Sequence, residues 1–152
     1  MACGSRRHKT CHDRSCQRYY NTTAQPLVAG QALQLAIAGS RVVDTGVAIQ
    51  TEPNNYTTNK TGLYHFSADV VLEASAAGDV IFQMYMDGIP LPCTLREVNA
   101  VATSIREIHT ETDLFLEGCC CDVTHNFTFI LTSVDTAAGN VVHFCSGIVK
   151  MQ

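Results

Sequence analysis

An all-β fold, with two antiparallel layers forming a sandwich or barrel, is predicted by three observations. First, residues 62–72 alternate strictly: Tyr64, Phe66, Ala68, Val70 and Leu72 share one face, while Leu63, His65, Ser67, Asp69 and Val71 share the other. A period of two over that length is a long strand packed on its apolar side. Second, no stretch carries helical periodicity, and Val, Ile and Thr, which fit a pleated sheet, recur throughout. Third, turn signals divide the chain into about eight short strands, the spacing of an all-β domain.

The elements follow in order. Residues 1–24 are polar, rich in cysteine and arginine, and without period. Leu33, Leu35 and Ile37 suggest a first strand, ended by Gly39-Ser40. Val42-Val43 and Val47-Ala48-Ile49 are short apolar pieces around a turn at Asp44-Thr45-Gly46. A short strand is expected at Tyr56–Thr58, then the long one from Leu63, ending in the small residues 74–78. Val80 to Met86 alternates again and stops at Asp87-Gly88, where glycine accepts the positive φ of a hairpin turn. Two prolines make 89–95 an edge segment or loop. Val101 to Leu116 reads as one strand or two, and Val123 to Thr132 alternates around Phe127, Phe129 and Leu131. A turn at Gly139-Asn140 and a last strand from Val141 to Lys150 complete the chain.

At 152 residues the chain fits one domain. Hydrophobic residues make up 46% and charged residues 16%, a low charge content that a large subunit interface would explain. No apolar run reaches the ~18 residues of a membrane span, and the first residues lack the apolar stretch of a classical signal peptide. The net charge of −4 is divided. Arg6, Arg7, Lys9, Arg14 and Arg18 face Asp13 alone in the first twenty residues, while the remainder carries five basic and thirteen acidic residues. A basic segment against an acidic body suits an arm lying on its own body or on a neighbouring copy. Nucleic acid is not favoured, because no aromatic or glycine interleaving marks a groove for it.

Three features fall in order beside the long strand. Gly62-Leu63-Tyr64-His65-Phe66-Ser67 resembles the central strand of the jelly-roll heads of the complement-recognition and tumour-necrosis-factor-like superfamily. Val80 to Gly88 is similar to the following strand and its turn. Leu114 to Gly118 with Asp122-Val123 resembles the superfamily's glycine-aspartate step, here with Cys119-Cys120-Cys121 inserted. Phe144 to Val149 resembles its closing strand. The resemblance covers about residues 27–152, and no collagen-like Gly-X-Y run precedes it. Bacterial and phage heads share this fold.

The resemblance implies an antiparallel jelly-roll β-sandwich at 25–152 behind an irregular arm at 1–24, assembled as a homotrimer. Met84, Tyr85, Met86 and Phe115 are candidates for the trimer interface, with the monomer's own core as the competing place for each. In the arm, Cys3, His8, Cys11, His12 and Cys16 lie within fourteen residues, and any four would suit a tetrahedral zinc site. Disulfides, or no structure at all, are the rival readings there. Cys119-Cys120-Cys121 beside His125 lacks an orienting group and an oxyanion hole, so no catalytic residue is assigned. A metal-dependent cupin-like enzyme is the further alternative, requiring His65, His109, His125 and His143 to converge. The protein is therefore expected to be structural rather than enzymatic. Its expected place is a virion or a bacterial or spore surface, as a capsid decoration or fibre-type knob docked on a lattice through its arm. The alternative is a soluble recognition head, binding a glycan or protein receptor through loops such as 74–78 and 91–99.

Overall fold

A computed structural model describes residues 15–46, 48–117 and 123–151. Its strands are β1 (Ser15–Asn21), β2 (Gln25–Leu27), β3 (Ala32–Gln34), β4 (Ser40–Thr45), β5 (Ile49–Thr51), β6 (Tyr56–Thr58) and β7 (Gly62–Ala76). They continue with β8 (Gly78–Met86), β9 (Ile89–Pro90), β10 (Arg96–Ala100), β11 (Ile105–Leu116), β12 (His125–Ser133) and β13 (Ala138–Lys150). A single 3-10 turn at Pro92–Thr94 is the one helical element among the described residues. No helix there is long and apolar enough to cross a membrane.

Every strand pairing is antiparallel. The first sheet runs β11-β7-β13-β1-β4, with β2 also on β13; the second runs β10-β8-β12-β6-β5, with β3 on β12 and β9 on β8. Strands distant in sequence lie side by side, and the chain passes repeatedly from one sheet to the other, which is the jelly-roll arrangement.

The core lies between the two sheets and is built by the alternation read from the sequence. Tyr64, Phe66, Ala68, Val70 and Leu72 of β7 all point inward and are buried, as are Phe144 and Ile148 of β13. From the other sheet come Val80, Phe82 and Met84 of β8 and Phe127, Phe129 and Leu131 of β12. Phe66 and Phe127 meet across the layers with ring centroids 4.6 Å apart, and Phe129 meets Phe144 at 5.5 Å in an edge-on pair. Such contacts add to the area they bury. The Tyr56 hydroxyl shares a 2.8 Å hydrogen bond with Ser146 Oγ, and Tyr64's shares one of 2.8 Å with Thr58 Oγ1. Burial raises the pKa of both phenols, opposed by these bonds. Among the described residues no buried side-chain nitrogen or oxygen lacks a partner.

Four readings change. Residues 15–21 belong not to an irregular arm but to β1, which lies between β13 and β4, so the sheet begins well before residue 25. β1 hides from sequence reading because its fully buried side chains are polar. Ser15 Oγ donates to Thr45 O, Gln17 Nε2 donates to Asp44 Oδ1 at 2.6 Å, and Asn21 Nδ2 donates to Ala36 O. Asp44-Thr45 ends β4 rather than forming a turn. Gly139-Asn140 is likewise no turn, since both lie in β13. A Cβ on Gly139 would run into Glu73 O and Ala74 Cα, so that glycine permits close backbone approach. Finally, the segments read as apical loops are partly strand: 74–76 finishes β7 and 96–99 lies in β10.

Candidate functional site

The outward face of the first sheet carries the site. β7 turns Leu63, His65, Ser67, Asp69, Val71 and Glu73 outward, because its other set fills the core. β11 pairs with it in register, setting Phe115 opposite Leu63, Asp113 opposite His65, Glu111 opposite Ser67 and His109 opposite Asp69. Glu107 then faces Val71, and Ile105 faces Glu73. The result is a polar middle between apolar ends.

The middle is one run of ionisable groups. His65 Nδ1 lies 2.6 Å from Asp113 Oδ1, and His109 Nδ1 lies 2.7 Å from Asp69 Oδ1. An ionised carboxylate only accepts, so each Nδ1 carries the proton and donates it. Both Nε2 atoms then face a single group: Glu111 Oε2 is 3.5 Å from His109 Nε2 and 4.0 Å from His65 Nε2. Five ionisable side chains thus run Asp113–His65–Glu111–His109–Asp69 along the sheet. Sequence reading missed them as a set. The signal was the shared parity of the five positions, but only the β7–β11 register makes them neighbours.

The ends are apolar. Phe115 is 58% exposed and Ile105 is 62% exposed, at opposite ends of β11. Leu63 lies beside Phe115, and its carbonyl accepts the Met151 amide at 2.7 Å. Across β7, β13 contributes Val149, Gly147, Cys145 and His143, and β1 contributes Cys16, Arg18 and Tyr20. Tyr20 stacks on His143 with centroids 5.8 Å apart.

The candidate residues from the sequence fall in different places. Met84 is buried in the subunit's own core, so it has no surface for another copy. Tyr85 is half-buried on the second sheet, beside Thr128 and Pro90, and Met86 packs against the core. Phe115 alone of the four lies on the outer face of the first sheet. Cys3, His8, Cys11 and His12 lie outside the described residues, as do Cys119, Cys120 and Cys121. Cys16 sits on β1, where burial pushes its thiol pKa up against the lowering pull of Arg18. Among the described residues no three His, Cys, Asp or Glu side chains are gathered to hold a metal ion.

The four histidines of the cupin alternative do not converge. His65, His109 and His143 lie on the outer face of the first sheet, while His125 lies at the start of β12 and pairs with Asp87 at 2.7 Å. Between the layers, where a cupin-type metal would sit, stand buried aromatic rings.

The fold has close structural counterparts. The globular domain of zebrafish complement 1qA protein superposes with a TM-score of 0.68 at 9% identity, covering 91% of this chain and 98% of that one. Murine APRIL gives 0.61 at 12% identity, over 91% and 99% of the two chains. The fold is a tumour-necrosis-factor-like jelly roll. PRD1 vertex protein P5 shares this jelly roll, with a TM-score of 0.57 at 13% identity over 91% of this chain and 97% of its own. No protein-family model matches the sequence, and no curated protein sequence matches it. The tumour-necrosis-factor-like fold thus stands on three-dimensional likeness.

Proposed function

We propose that this protein is a non-catalytic homotrimeric head, joined through the outer face of its first sheet and displayed on a larger surface. The observation that carries the reading is the pair of exposed apolar ends on that face. Phe115, beside the half-buried Leu63, at one end and Ile105 at the other leave large side chains in water, as Ile89 does on the second sheet. Apolar surface of this kind is most simply covered by another copy of the same face, and closed rotational symmetry satisfies every copy at once. Likeness to a complement globular domain, to APRIL and to the PRD1 vertex protein supports a head of this type, serving structure or recognition. Within that range we favour a virion decoration role, for which PRD1 vertex protein P5 offers a counterpart of the same fold and the basic segment at 1–14 a means of anchoring. The basic segment at 1–14 would dock the head on its lattice, with any zinc held there by four of Cys3, His8, Cys11, His12 and Cys16 of β1.

The test is a charge placed in the seam. Phe115→Glu should leave the circular dichroism spectrum unchanged and shift the species in solution from trimer to monomer, read by light scattering coupled to size exclusion. A trimer unaffected by Phe115→Glu would move the interface elsewhere.

A further inference from the structure

The five-membered chain on the first sheet does not fit a purely packing role. Three carboxylates alternate with two imidazoles, so the chain carries a charge of −3 with both rings neutral and −1 with both protonated. Each ring is fixed by its Nδ1–H bond to an aspartate, which leaves its Nε2 lone pair facing Glu111 Oε2. That is acceptor against acceptor. A proton on Nε2 turns the same contact into an ion pair.

We infer that self-association through this face is gated by pH, with the Asp113–His65–Glu111–His109–Asp69 chain as the sensor. The inference rests on the trimer reading above. Three copies bringing this face toward one another concentrate nine carboxylates beside six imidazoles, and burial strengthens their mutual repulsion. Protonating the imidazoles removes most of that charge, so assembly takes up protons and must tighten as pH falls. Histidine is the side chain whose charge changes near neutrality, which sets the window at roughly pH 5 to 8.

The other groups facing the chain leave this sign unchanged. On its own strands stand Glu73 of β7 and Glu107 of β11, both acidic. β13 presents the Cys145 thiol opposite Asp69 and His143 opposite Val71. His143 adds a further proton site of the same sign. β1 presents Cys16 and Arg18, the latter across Gly147 from Ser67, where its stem would meet a Cβ on Gly147 at 3.6 Å. Arg18 offsets part of the negative charge throughout this window.

The experiment is sedimentation equilibrium of the full chain at fixed ionic strength between pH 5.5 and 8.5. The association constant should be on the order of tenfold or more larger at the acid end, and the difference should shrink in roughly 0.5 M salt. His65→Gln with His109→Gln should flatten the profile, while Glu111→Gln should strengthen assembly at the alkaline end; melting curves establish that each variant is folded. An association constant that ignores pH, or a pH dependence that survives the double histidine variant, overturns the inference and leaves the trimer standing. A monomer at every pH overturns both.

Discussion

Gly139 shows how one backbone atom can decide a strand pairing. Its φ of 159° lies at the border of extended backbone, so conformation alone explains little. The constraint is space: a methyl group there would collide with the Glu73 carbonyl of β7. Gly139→Ala should therefore cost about 2–4 kcal/mol, read as a lowered urea midpoint without loss of the β spectrum. Asp135 acts through hydrogen bonds instead. Its Oδ1 accepts the amides of Thr136 at 2.6 Å and Asp79 at 3.0 Å, and these bonds lower its pKa. Asp87 is also lowered: burial pushes it up, but the bonds from His125 and the Asn126 amide outweigh that. A carboxylate depressed in the folded state stabilises fully above its unfolded value of about 3.9 and loses that contribution as pH falls further. Asp135→Asn keeps an acceptor oxygen but cannot titrate. Urea midpoints at pH 6 and pH 2.5 should therefore differ less for Asp135→Asn than for the unaltered protein.

At the scale of elements, β1 bears on the fold most directly. It lies between β13 and β4 and bonds along seven residue pairs to β13, from Ser15↔Lys150 to Asn21↔Phe144. Removing residues 1–14 should leave a folded sandwich by circular dichroism, whereas removal through residue 21 should abolish the cooperative melt. A head that folds without β1 would contradict its place inside the sheet. That strand also marks where sequence reading stops. β7, β8 and β12 were legible because their inward side chains are apolar and their period is two. β1 inverts the pattern by burying Ser15, Gln17 and Asn21 against specific acceptors, and those acceptors are up to thirty residues away. β10 was missed for a related reason: Arg96-Glu97-Val98-Asn99-Ala100 buries only Ala100 fully and reads as loop. The histidine–carboxylate chain was visible only as scattered residues, because parity places them on a face and register alone makes them touch.

For the whole molecule, the two faces of the sandwich differ in what they ask of a partner. The inner faces satisfy each other with interlocking aromatic rings. The outer face of the first sheet ends in Phe115 and Ile105, with titratable groups between them, and is the face proposed to meet two further copies. Sedimentation equilibrium near pH 6 tests this most directly. A single species of three times the 16.5 kDa chain mass is expected. A species of 16.5 kDa at high protein concentration would contradict it.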